Sequence, residues 1–312
     1  MTATADHFVR GVRRHQAGAL ADAEGAYRAV LDADPRHHEA LRLLGLLCAR
    51  DGRPNEAMAL VQRAIEATDQ PGLAWHARGQ LDIDAGRLDD AATAFAQATV
   101  TLPTFVRAWV DLALVRERQG RLDEAADAWA EAARREPNEP DHHLMRGTVL
   151  AHLGRHVDAI ESLERATALA PESAIAWSAL GAVLRRVDRW DDALSALRRA
   201  NALDPERAET AVTLIDALLD RREIRVATAE ARRALEHWPH DASVHHVAAR
   251  TLECAAELEM AESHLRIAID LDPRAVDARV SLADLLARTD RIDEADRAYR
   301  DAIRRQPDHA DA

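Results

Sequence analysis

The sequence contains no lysine: a scan of its 312 residues shows that every one of the 41 Lys+Arg cations is an arginine. That absence excludes Schiff-base chemistry, the phosphate-loop lysine and the kinase strand lysine, each of which needs an ammonium group at a fixed place. Aromatic residues are scarce at 4% while hydrophobic residues reach 47%, so the apolar content is mostly alanine and leucine. These are the best helix formers, and an all-α chain follows. Cysteine is nearly missing, since Cys48 and Cys254 lie more than 200 residues apart. No disulfide framework is available, and a cytoplasmic, reducing location is expected. Long apolar runs are absent too: charges recur every few positions, no window approaches the roughly 18 apolar residues of a membrane span, and Arg10, Arg13 and Arg14 occupy the start, where a secretory core would lie. With 54 acids the net charge is −13. It repels nucleic-acid phosphate and offers anionic lipid nothing, so neither nucleic acid nor membrane is expected as a partner.

Catalytic and cofactor motifs are also missing. There is no Gly-x-Ser-x-Gly, no Gly-x-Gly-x-x-Gly, no His-Glu-x-x-His and no Cys-x-x-Cys. The adjacent pairs His37 and His38, His142 and His143, and His245 and His246 stand out among 15 histidines. Neighbours on a helix point about 100° apart, which makes a poor chelate. No metal, cofactor or catalytic residue is assigned, and the chain is read as a non-enzyme.

What is present is a period. Pro35, Pro103, Pro137, Pro171, Pro205, Pro239, Pro273 and Pro307 share one 34-residue register, with Asp69 at the missing station. Nine repeats result, spanning residues 4–309 as 4–37, 38–71, 72–105, 106–139, 140–173, 174–207, 208–241, 242–275 and 276–309. Position twenty is alanine in every repeat, from Ala23 to Ala295, and position twenty-seven is alanine in all but the first, where Val30 stands. Position eight is small (Gly11, Gly45, Gly79, Gly147, Gly181, Ala113, Ala249, Ala283) except for Ile215. Position four takes Trp75, Trp109 and Trp177, and position twenty-four takes Tyr27, Phe95, Trp129 and Tyr299. Small residues let two helices approach closely and large ones fill the space they leave. Gly18, Gly52, Gly86, Gly120 and Gly154 at position fifteen suit a left-handed helix end. Acids such as Asp89 and Asp90 then begin a second helix, where its dipole favours them, and the proline at thirty-two stops it.

This pattern resembles the tetratricopeptide repeat (TPR). The resemblance implies antiparallel helix pairs, A and B, stacked into a right-handed superhelical solenoid whose groove is lined by helix A. Two departures carry expectations. Arg222 and Ala256 replace the turn glycine in repeats seven and eight, whose turns are therefore predicted to be the least regular. The ninth repeat is expected to leave Leu285, Tyr299 and Ile303 open to another segment or to self-association with a second copy.

Helix A positions two, five, six, nine, twelve and thirteen share one face. That stripe mixes acids (among them Asp84, Asp111, Asp216, Asp220, Glu253) with arginines (among them Arg50, Arg107, Arg118, Arg250, Arg288). In the first two repeats it is apolar, with Phe8, Val9, Val12, Leu43 and Leu46, which serves either as a contact patch or as part of the stack. The carboxylate clamp of some family members is absent, since its lysine and asparagine positions read Phe8 and Val12, then Arg42 and Leu46; the asparagine ladder of the O-GlcNAc transferase branch is absent as well. The resemblance therefore implies a protein-protein interaction scaffold for a peptide or protein partner, with Phe8, Val12, Leu43, Leu46, His76, Asp111, Asp216, His246 and Arg250 as candidate groove residues. The alternative is a substrate-docking arm of a larger enzyme, because the opening repeats resemble those of bacterial multidomain TPR glycosyltransferases and sulfotransferases.

Overall fold

The computed structural model describes residues 3–305, so Pro307 and the last residues of the ninth repeat lie outside the described residues. Every regular element among them is an α-helix. The chain divides into two compact units, one ending at Arg155 and one beginning at His156. The N-terminal unit holds α1 (Ala3–Gln16), α2 (Leu20–Ala33), α3 (His38–Arg50), α4 (Pro54–Glu66), α5 (Gly72–Asp84), α6 (Leu88–Thr101), α7 (Val106–Arg118), α8 (Leu122–Arg135) and α9 (Pro140–His152). The C-terminal unit holds α10 (His156–Leu169), α11 (Ala174–Arg186), α12 (Trp190–Leu203), α13 (Ala208–Asp220), α14 (Ile224–His237), α15 (Ala242–Cys254), α16 (Leu258–Leu271), α17 (Val276–Arg288) and α18 (Ile292–Arg305). Within each unit every helix packs against the one before and the one after it.

Packing inside a repeat rests on the complementarity of positions eight and twenty-four. A Cβ added to Gly79 would lie 2.5 Å from Phe95 Cε1, and one added to Gly11 would lie 2.7 Å from Tyr27 Cε1. Repeat seven reverses the sizes. Ile215 stands at position eight, Ala231 at twenty-four, and both are buried in one cluster with Leu214, Leu218 and Val244. The volume is conserved while its source moves to the other helix, the kind of exchange cores tolerate. The alanines at twenty, such as Ala23, Ala57, Ala91 and Ala125, are fully buried.

The A to B turns are alike in all nine repeats, and this corrects the expectation for repeats seven and eight. Gly18, Gly52, Gly86, Gly120 and Gly154 have φ between +72° and +75°, and Asp188, Arg222, Ala256 and Asp290 at the same station have φ of 59°, 61°, 64° and 62°. The same two bonds close the turn: Arg87 N–H donates to Asp82 O and Gly86 N–H to Ile83 O, as Glu257 N–H donates to Leu252 O and Ala256 N–H to Glu253 O. This is the hydrogen-bonded helix end that requires a left-handed residue. The packing of helix B against helix A imposes it even where the side chain resists.

Four of the seams between repeats carry a bond of their own. The position-four donor reaches the carbonyl of the preceding position-thirty-two proline: Trp109 Nε1–H to Pro103 O at 3.1 Å, Trp177 Nε1–H to Pro171 O at 3.0 Å, and the Nε2 of His143 and His245 to Pro137 O and Pro239 O at 3.2 and 3.1 Å. Tryptophan and histidine are interchangeable here because each presents a ring N–H at the same reach. The paired histidines thereby part company. His142 bonds Glu136 while His143 bonds Pro137, and His245 bonds Pro239 while His246 bonds Ser281.

At the ninth repeat the open apolar face is smaller than expected. Leu285 is buried in a cluster with Leu265, Ala268 and Ala278, because position ten points into the hairpin. The Tyr299 hydroxyl donates to Asp284, and only Ile303, 44% exposed, faces solvent as anticipated.

Candidate functional site

The helix A faces of α1, α3, α5 and α7 surround a cavity of about 570 Å³ in the N-terminal unit. Its floor is apolar, made by Leu46, Ala49, Leu81, Ile83, Leu114 and Val115 with the edge of Phe95. Cavities of a few hundred Å³ with an apolar floor and a few polar groups are the usual form of a binding site. Its rim carries His15, Arg50, Asp84, Arg107, Asp111 and Arg118.

One corner is fixed from within. His76 Nε2 and Asp111 Oδ2 lie 2.7 Å apart across two repeats, and Arg107 Nε donates to the same carboxylate at 3.1 Å. Burial alone would push the Asp111 carboxyl up, but the bonds from His76 and Arg107 outweigh it and hold it below the usual range. Phe95 and Phe105 flank the His76 ring, at centroid distances of 5.3 and 4.9 Å. His76 and Asp111, both buried, form a hydrogen-bonded brace between α5 and α7, with the exposed Arg107 closing it from outside. Burial and, next, the charge of Arg50 lower the pKa of His15, so its ring is neutral at pH 7.

The C-terminal unit carries a different helix A face. Arg185 donates to Asp220 at 2.7 Å, Arg288 to Glu253 at 2.8 Å, Arg250 to Asp216, and His246 meets Ser281 at 2.9 Å. Each bond spans 34 or 35 residues and so links the same face of consecutive repeats. Burial raises the pKa of Asp216 and of Glu253 against the opposing pull of Arg250 and Arg288, and burial, then Arg250, lowers that of His246. A cleft of about 430 Å³ does lie there, but its lining is Arg250, Glu253, Ser281, Asp284 and Arg288 with Ala287 and Tyr299. Most of its charge is already engaged.

The sequence candidates are thus distributed unevenly. Leu46 and Asp111 line the N-terminal cavity. Phe8, Val12, Leu43 and Leu46 are partly buried against the cluster formed by Tyr27, Leu41, Leu44 and Leu47, so the apolar patch is largely the outer layer of the stack. Phe8 lies 4.7 Å from the His37 ring. His76 braces Asp111, and Asp216, His246 and Arg250 serve the C-terminal unit's rungs. Arg50, Asp84, Leu114 and Arg118 were not singled out. The signal for the charged three lay in the register: each stands at position thirteen, and position twelve of the preceding repeat (His15, Ala49, Ile83) offers no opposite charge.

Comparison with known proteins agrees with this architecture. The sequence model described as tetratricopeptide repeat matches residues 10–71, 76–140, 111–171, 144–208 and 247–310. These stretches omit most of repeat seven, where Ile215 and Ala231 exchange sizes. Among solved structures, the chain is similar to one from the APC/C hetero-tetramer Cut9-Hcn1, with a TM-score of 0.54 and 21% identity over 86% of this chain and 52% of that one. Matches to MamA (TM-score 0.46, 22% identity, 53% of this chain and 91% of that one) and to YrrB, described as a TPR protein with an unusual peptide-binding site (0.47, 21%, 60% and 96%), are more partial. No curated protein matches the chain in sequence.

Proposed function

The chain belongs to the tetratricopeptide repeat family, and from that premise we propose that it is a non-catalytic interaction scaffold whose N-terminal cavity receives a peptide segment of a protein partner. One observation carries the reading: an apolar-floored cavity of about 570 Å³ lies on the helix A face where Arg50, Asp84 and Arg118 are left unengaged, while on the corresponding face of the C-terminal unit Arg185, Arg250 and Arg288 are paired. The polar groups nearest the cavity support binding over turnover. Asp111 is engaged by both His76 and Arg107, and no serine, threonine or cysteine lines the site. Among the described residues no helix is long and apolar enough to cross a membrane, which is compatible with a cytoplasmic scaffold.

The test is an array of synthetic peptides probed with the full chain, followed by Leu114→Asp. Leu114 is 39% exposed, so the substitution charges the floor without opening the core. Peptides bound by the wild type should lose at least roughly tenfold in affinity, the effect of a buried charge at an apolar contact, with helicity by circular dichroism unchanged. Unaltered affinity would remove the cavity from the proposal.

A further inference from the structure

Position thirteen of each helix A lies opposite position twelve of the repeat before it, as the Arg185–Asp220 and Glu253–Arg288 bonds demonstrate. In the N-terminal unit the equivalent rungs are His15 with Arg50, Ala49 with Asp84, and Ile83 with Arg118. None pairs opposite charges. Arg50, Asp84 and Arg118 are exposed on the cavity rim and carry no ion pair among the described residues. The third arginine of the rim, Arg107, is already held by Asp111. Two uncommitted guanidinium groups therefore flank an apolar floor, in a chain whose net charge is −13.

Resting on the reading of this cavity as the scaffold's binding site, we propose that its occupant is an apolar peptide segment flanked on both sides by acidic side chains, which pair with Arg50 and Arg118. A carboxylate reaching either arginine displaces only water, and the planar guanidinium can receive it through two parallel bonds. The same carboxylate arriving at Arg185 or Arg288 would have to break an existing pair. Asp84, between the two arginines in repeat order, repels an acid at the centre. The pattern selected is acid, apolar, acid rather than a continuous acidic run.

Short fluorescein-labelled peptides with one apolar centre, Leu-Val-Phe-Leu, flanked by Glu, by Gln or by Lys, test this by fluorescence anisotropy against the full chain. The Glu-flanked peptide should bind roughly tenfold more tightly than the Gln-flanked one at low salt, as two exposed ion pairs allow, and the Lys-flanked one more weakly than either. The gap should narrow at about 0.3 M salt through screening. It should disappear in Arg50→Gln/Arg118→Gln, and shrink in Ile83→Glu, which gives Arg118 an internal carboxylate of the kind Glu253 gives Arg288. Equal affinity for the Glu-flanked and Gln-flanked peptides overturns the assignment, as does a Glu advantage that survives in the double arginine variant, or no binding of the Glu-flanked peptide at millimolar concentration. If the Glu-flanked and Gln-flanked peptides bind alike and Leu114→Asp abolishes both, the charge assignment falls while the cavity stands as the binding site.

Discussion

The helix A faces of the two units both carry arginines and carboxylates at positions twelve and thirteen, yet most of these end in opposite states. At position nine the C-terminal face adds Asp216, Arg250 and Asp284 where the N-terminal one has Val12, Leu46, Gln80 and Leu114. In the C-terminal unit Arg185 finds Asp220, Arg250 finds Asp216 and Arg288 finds Glu253. In the N-terminal unit Arg50 and Arg118 face histidine and isoleucine at the matching stations. For the position-thirteen arginines the difference is one of register: Arg288 meets Glu253, while Arg50 and Arg118 meet no carboxylate. An arginine is a structural strut or a free recognition group according to the residue 34 or 35 positions away in the neighbouring repeat.

Breaking the contrast at the level of the core should have the largest effect. Gly79→Ile gives repeat three the position-eight side chain of repeat seven while Phe95 still fills the space, and should destabilise α5 and α6 by about 3 kcal/mol through overpacking. The double change Gly79→Ile/Phe95→Ala reproduces the Ile215 and Ala231 arrangement and should recover much of that loss. Urea denaturation with hydrogen exchange along the chain reads both, since repeats unfold with neighbour-dependent stabilities. A double variant no better than the single one would show that size exchange between the two stations is not what repeat seven relies on.

The second contrast concerns two carboxylates. Asp111 has a lowered pKa because the bonds from His76 and Arg107 overcome its burial. Its stabilisation is present above the unfolded value, near 3.9, and is lost as pH falls through the folded one. Asp216 has a raised pKa, from burial first. Its favourable contribution is present below the unfolded value and lost as pH rises through the folded one, so at pH 7 its charge is a cost. Asp111→Asn should therefore destabilise α7 by about 1–2 kcal/mol at pH 7, with the difference closing only as pH falls below the usual carboxylate range. Asp216→Asn should be neutral or stabilising at pH 7. Equal losses in the two variants, measured by hydrogen exchange of α7 and α13, would contradict the distinction.

The smallest effect sharpens the comparison between turns. Ala256 holds a left-handed conformation that costs a residue with a Cβ about 1 kcal/mol, whereas Gly52 holds it freely. Ala256→Gly should raise the stability of α15 and α16 by up to about that amount, less the entropy glycine gains in the unfolded chain. Asp290→Gly should yield less, because aspartate tolerates the region better than alanine. A destabilised Ala256→Gly would mean that the turn is not under strain.

The sequence carried the architecture in full view. The proline register, the alanines from Ala23 to Ala295 and the glycines opposite Tyr27 and Phe95 are local signals, each readable within one repeat. At Ala256 the turn departs from the sequence expectation because packing of the hairpin dictates the geometry and glycine only lowers its cost. The cavity was not legible from the stripe alone. Its apolar floor combines residues from four helices, and the freedom of Arg50 and Arg118 depends on pairings between repeats that no single repeat displays. The patch at Phe8, Val12, Leu43 and Leu46 is partly buried by the first repeats' own packing, while Leu46 also lines the cavity, so both alternatives the sequence leaves open have support.

The bond from the position-four ring to the proline carbonyl of the preceding repeat has a consequence for how such a chain changes length. Both partners recur at a fixed offset, so excising residues 106–139 would leave the Pro103 carbonyl facing His143 where Trp109 had been, still with a ring N–H to meet it. The four junctions that carry this bond are built to accept one another's modules. Insertion and loss of whole modules can thus proceed with the joints intact, and what an array recognises can be rewritten by reordering which module follows which.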